Sequence, residues 1–284
     1  MTLPCRGIDP RLPKSQLYMQ STWFADAADP DAHPLATGLG YAWADATAAY
    51  APRVALGATP RYEFHGHYFF SHQNVYVVAC PAAAVHPSFD AALAGLLEAD
   101  KNGTLVILGD AAEVSIDTPS GAGHWQRRLL DRLARAGASS SSRAQRVRLM
   151  PPLDRATRAQ LYAVAAAALE PFPTRAPMAA LEAIHHGAVV VALANAESGG
   201  HQSLVPGLYG AVGFEGDGGA GEATVARDAD EYVGMAARLG ADRERRLERK
   251  QQLLARLEAW DGGDDAWGGV VVNTARVVRL KREA

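Results

Sequence analysis

The chain has 284 residues, 48% hydrophobic and 21% charged, which suffices to bury a sizeable core and is too short for several large domains. Its formal charge of -3 gives no electrostatic reason to expect nucleic acid or an anionic membrane as the main partner. With no charged-then-apolar leader and no apolar run near about 18 residues, a soluble intracellular protein is the expectation.

Residues 1–70 carry short apolar pieces such as QLYMQSTWF between Pro, Asp and Gly, with no alternation of strand and helix, so they read as an irregular extension and not as a complete ligand-binding half. Their end, FHGHYFFSH, places His65, His67 and His72 close together. No Cys, Asp or Glu completes a ligand set there, so no metal site is expected. Cys5 and Cys80 lie far apart, and Cys80 closes an apolar run, which predicts a buried reduced thiol.

From Val75 onward, apolar runs alternate with segments of helical period, the pattern of strands buried on both faces and of covering helices. Strands are predicted at Val75–Cys80, Thr104–Gly109, Val147–Met150, Ala166–Glu170 and Val189–Leu193, and helices at Phe89–Ala99, Trp125–Ala136, Arg155–Ala165 and Met178–His186. Gly103, Gly137 and Gly187 read as helix stops. Residues 138–145 and 213–228, rich in Ser or Gly, read as surface loops, and the stretch 230–260 has long helical character, its charged portion packed by its leucines. Residues 71–284 therefore form an α/β, Rossmann-like domain: a parallel sheet with helices on both faces.

In such sheets ligands sit at the carboxyl ends of the strands, which directs attention to the loop Phe172–Ala176 between an apolar strand and a helix opening at Pro177. Ala176 is a poor side-chain cap, leaving first-turn N–H groups for a ligand, unless Thr174 caps them. Such groups, with the helix dipole, suit an anionic ligand. His185 and His186, late in that helix, complement its carboxyl-terminal charge. No P-loop and no nucleophile elbow occurs, which argues against a P-loop phosphotransferase and an α/β-hydrolase.

Several of these segments together resemble the C-terminal catalytic domain of the O-GlcNAc transferase and Spindly family: LMPPLDRA running into a helix, the acidic-Pro turn EPFP, LEAIHHGAVVVAL, the region Val75–Asp110, and DADEYVGMAARL. The resemblance covers roughly residues 70–257 and implies the C-terminal half of a GT-B glycosyltransferase, with residues 1–70 holding a remnant of the N-terminal half. It implies a UDP- or GDP-sugar donor, no further cofactor, a metal-independent inverting mechanism, and O-linked transfer (O-GlcNAc) to protein Ser or Thr in the cytoplasm or nucleus. Carried over residue by residue, the first helical turn that holds the diphosphate is Pro177, Met178, Ala179 and Ala180, without the family's threonine hydroxyls. Glu182 matches the acidic residue that takes the ribose, although an acid there also complements the helix dipole. Leu153, Arg155 and Arg158 match the positions that read the base and approach the nucleotide, although an exposed Arg is also an ordinary solvated face. The family's catalytic lysine beside the first strand has no counterpart between Cys80 and Pro87. A catalytically inactive binder or interaction domain is thus the alternative.

Overall fold

The computed structural model describes residues 61–64, 67–70, 73–78, 80, 84–109, 122–139, 146–150, 153–194, 203, 205–214 and 224–259. Cys5, His65 and His72, and the reading of residues 1–60, lie outside them.

The apolar runs become strands because both of their faces are covered. β3 (Asn74–Val78), β4 (Gly103–Leu108), β5 (Val147–Met150), β6 (Ala167–Leu169), β7 (Val190–Leu193) and β8 (Val225–Ala226) form one sheet ordered β5-β4-β3-β6-β7-β8. Every pairing is parallel: Val75 stands against Thr104, Tyr76 against Ala167, Leu105 against Val147, Ala168 against Val190 and Ala192 against Val225. The period-2 alternation of side chains divides the core in two. Val75, Val77, Val106, Ala168 and Val190 pack under α3 (Arg155–Val164), α4 (Pro177–His185), α5 (Val205–Ala211) and α7 (Arg243–Ala259). Tyr76, Val78, Leu105, Ile107 and Val191 pack under α1 (Asp90–Ala99), α2 (Ala122–Arg135) and α6 (Ala229–Ala241). The α/β Rossmann-like expectation therefore holds, with helices on both faces.

Several boundaries differ from the sequence reading for identifiable reasons. β1 (Arg61–Phe64) and β2 (His67–Phe70) pair as an antiparallel hairpin inside the extension read as irregular. Gly137 and Gly187 do end helices, at φ 102° and 77°, with Ala138 and Ala188 donating back to Leu133 and Ala183. Gly103 does not: it opens β4, and a Cβ there would meet the Tyr76 ring edge at 2.9 Å. Asp100 ends α1 instead, its carboxylate accepting from Asn102 N at 2.9 Å. The tail is two helices, because Asp242 turns extended and caps α7 by accepting from Arg245 N at 3.0 Å.

At the amino ends of the strands a polar cluster ties the layers. Asp100 accepts from the Tyr76 hydroxyl at 2.6 Å and from Asn74 Nδ2 at 2.8 Å. Arg246 of α7 donates to the carbonyls of Leu239 and Gly240 at the end of α6 and to Asn74 Oδ1. Burial, then the Asp100 hydrogen bond, pushes the Tyr76 hydroxyl far above its ordinary range.

On the other face Lys250 of α7 is 3% exposed and donates to Ala163 O at 2.8 Å and Tyr162 O at 3.3 Å, capping the carboxyl end of α3. Burial, and then the Arg246 charge, lowers its pKa from 10.5 to about 7. The α3 carbonyls act in the opposite sense. Between these values the unfolded chain binds the extra proton, so stability rises as pH increases from about 7 towards 10.5. Lys250→Met should flatten that slope in urea melts at pH 7, 8 and 9; an unchanged slope contradicts a depressed Lys250.

Candidate functional site

Strand order places the site. From β3 the chain adds β4 and β5 on one side, then crosses back through α3 to lay β6, β7 and β8 on the other. The crevice at this switch lies outside the carboxyl ends of β3 and β6, where successive loops diverge. The turn leaving β6 spans 170–176 and delivers the chain into α4 at Pro177, where the sequence places both loop and helix start.

Side chains hold this turn from three directions. Glu170 and Arg175 form an ion pair at 3.2 Å with side chains 0% and 2% exposed, and Arg175 Nη2 donates to Leu193 O, the end of β7, at 2.8 Å. The Tyr232 hydroxyl of α6 donates to Glu170 O at 3.1 Å. Phe172 meets Phe89 and Tyr232 edge-on at ring separations of 4.8 and 5.5 Å. Desolvation pushes the Glu170 carboxyl above its ordinary range, while the Arg175 charge and the nearby Ser203 hydroxyl pull it back.

The turn ends in an open helix start. Ala176, at φ -126° and ψ 65°, is the N-cap of α4 and makes no side-chain cap bond, so Thr174 is not the cap that the alternative reading supposed. Pro177 contributes no N–H, and Ala180 N is taken by Ala176 O at 2.9 Å. The N–H groups of Met178 and Ala179 lie between these two in the first turn. Beside them, between β6 and α4, is a shallow recess of about 10 Å³ whose lining includes Ala168, Ala176, Ala179 and Ala180.

The other candidates divide into two groups. Leu153, Arg158 and Glu182, distant in sequence, meet in one network: Arg158 Nε donates to both Glu182 oxygens at 3.0 and 3.2 Å, and Nη1 donates to Leu153 O at 2.7 Å. Glu182 is in the second turn of α4 with its side chain 10% exposed, and Arg158 reaches it from α3. The network links the turn after β5 to α4. Arg155 opens α3 and is exposed, outside this network, while Asp154 caps α3 by accepting from Thr157 N at 2.8 Å.

Arg175 and Tyr232 are the site residues that sequence reasoning missed. A local signal for Arg175 existed: two opposite charges, five residues apart, bracket an apolar turn directly after a strand buried on both faces. Tyr232 lies 62 residues from Glu170 and left no local trace. His185 and His186 do close α4; His186 is its buried C-cap and stacks on Tyr162 with rings 12° apart.

No family model and no curated protein sequence matches the chain. Among solved structures, Thermobaculum terrenum O-GlcNAc transferase, solved as a point mutant, is similar with a TM-score of 0.56 at 20% identity, covering 75% of this chain and 36% of that one. A trehalose 6-phosphate synthase of Burkholderia multivorans aligns at TM-score 0.44 and 14% identity over 75% of this chain and 44% of that one. TarM of S. aureus aligns at 0.46 and 10% over 78% and 38%. The chain thus spans less than half the length of these proteins, and the likeness is one of fold: the Rossmann-like fold of GT-B glycosyltransferases. Among the described residues no helix is long and apolar enough to cross a membrane.

Proposed function

We propose that this chain is the nucleotide-sugar-binding half of a GT-B glycosyltransferase, taking a UDP- or GDP-sugar for O-linked transfer, of the O-GlcNAc type, to protein Ser or Thr. The observation that carries the reading is the start of α4, uncapped by any side chain among the described residues, at the carboxyl end of β6 beside the switch point. A donor diphosphate there meets backbone N–H groups and the positive end of the helix dipole. In the transfer step the acceptor hydroxyl oxygen bonds to the anomeric carbon and gives up its proton to a general base or water, the bond from that carbon to the diphosphate breaks, and the first turn of α4 takes up the charge left on the leaving oxygen. Glu182 accepts the ribose hydroxyls with its carboxylate oriented by Arg158, the Leu153 turn faces the base, and Arg155 stands at the rim.

A catalytically inactive nucleotide-sugar or protein binder is the second reading. It is favoured by the missing lysine between Cys80 and Pro87 and by the prior engagement of Glu182 with Arg158. Calorimetric titration with UDP, uridine, GDP and guanosine tests the shared premise. One diphosphate should bind well ahead of its nucleoside, and Glu182→Ala should weaken its binding by about 1–3 kcal/mol, as for a hydrogen bond to a charged group. Equal affinities of diphosphate and nucleoside would remove the diphosphate assignment, and an unchanged Glu182→Ala affinity would remove the ribose role. Donor binding without sugar transfer, tested with the partner half supplied, selects the inactive reading.

A further inference from the structure

Among the described ion pairs, Glu170–Arg175 is the one withdrawn from water on both sides. Such a pair is a poor way to gain stability, because desolvating two charges offsets most of their attraction and apolar residues of similar volume hold a core as well. The compensation here is partial: Glu170 is wholly buried, and the Arg175 charge and the Ser203 hydroxyl do not bring its carboxyl back to its ordinary range. What the pair supplies is geometry. Arg175 spans the ends of two adjacent parallel strands, with Nη1 on the Glu170 carboxylate after β6 and Nη2 on the Leu193 carbonyl of β7. Its backbone immediately precedes Ala176, the N-cap of α4. Tyr232 fixes the other end of the turn through Glu170 O, and the Phe89–Phe172–Tyr232 contacts fix its middle.

We propose that the Glu170–Arg175 pair is a positioning device for the first turn of α4, setting its N–H groups against the diphosphate of a nucleotide ligand. This rests on the nucleotide-sugar reading above. Neither side chain touches the ligand; both act through the turn they brace. Two parallel strands diverge through the sheet twist, so a side chain tied to both ends makes the position of the helix start follow from the sheet and not from the turn's own conformational freedom.

The test compares the wild type with Glu170→Leu/Arg175→Met in calorimetric titrations with UDP, uridine, GDP and guanosine, alongside thermal unfolding. The double variant should melt at or above the wild-type temperature and keep its nucleoside affinity, while its diphosphate affinity falls by about tenfold or more, the scale of a small misplacement of a binding group. Arg175→Lys keeps the charge without the two-headed reach and should lose part of the same diphosphate affinity; if the double variant does not fold, this variant carries the comparison. Unchanged diphosphate affinity overturns the proposal. So does a proportionate loss of diphosphate and nucleoside binding with a lowered melting temperature, which makes the pair a stability element only. A wild type that binds neither UDP nor GDP is a different failure, since it removes the nucleotide reading on which the proposal rests.

Discussion

Arg175→Met alone should cost about 3–5 kcal/mol, the usual penalty for leaving one partner of a buried ion pair without its counter-charge. The loss is largest where Glu170 must stay ionised. In the wild type desolvation already raises the Glu170 pKa, with the Arg175 charge opposing it. A carboxyl raised in the fold binds more protons folded than unfolded, so stability falls as pH rises from the ordinary carboxylate range through the raised value. Removing Arg175 takes away the largest opposing influence and extends that window upward. Urea melts at pH 5 and pH 8 should therefore show a smaller deficit at the lower pH. A deficit independent of pH would mean that the lost packing of Arg175, and not the stranded carboxyl, causes the effect.

Gly240→Ala is the second large effect, and here two principles disagree in sign. Helix propensity favours alanine by about 1 kcal/mol at a helical position. A Cβ on Gly240, however, would run into the Tyr76 hydroxyl and lie 2.6 Å from Asp100 Oδ2. Tyr76 is fully buried with its ring fixed in the sheet, and Asp100 is held by Tyr76, Asn74 and Asn102, so neither yields as the tip of a free side chain would. Overpacking costs about 1–3 kcal/mol and loss of the charged hydrogen bond about 1.5–3 more, which outweighs the propensity gain. A net destabilisation of about 1.5–5 kcal/mol is expected from denaturant midpoints. Equal or greater stability of the variant would place α6 further from β3 than described.

Much of the fold was legible because parallel strands covered on both faces read as unbroken apolar runs: VYVV, TLVIL and VVVAL need no long-range information. β8 escaped because two residues carry no period, and α5 because Pro206, Gly207 and Gly210 disguise a helix that Tyr209 fastens to β7 through Val190. The break between α6 and α7 lay hidden in a charge-rich tail, since Asp242 looks like one more solvated acid until its carboxylate is seen capping. For the site, Pro177 and the preceding turn were local signals. The Arg158–Glu182 contact joins residues 24 apart on separate helices, and the Arg175–Leu193 contact joins the ends of two strands, so both depend on the sheet being assembled.

Backbone amide NMR of the chain titrated with UDP and GDP decides whether a nucleotide diphosphate binds at the first turn of α4. One of the two should shift the amides of Ala176, Ala179 and Ala180 most, with Leu153 and Glu182 following, while the amino-end cluster around Asn74 and Asp100 stays still. Shifts centred away from α4 and the turn after β5, or none in a folded chain with either ligand, would contradict binding there.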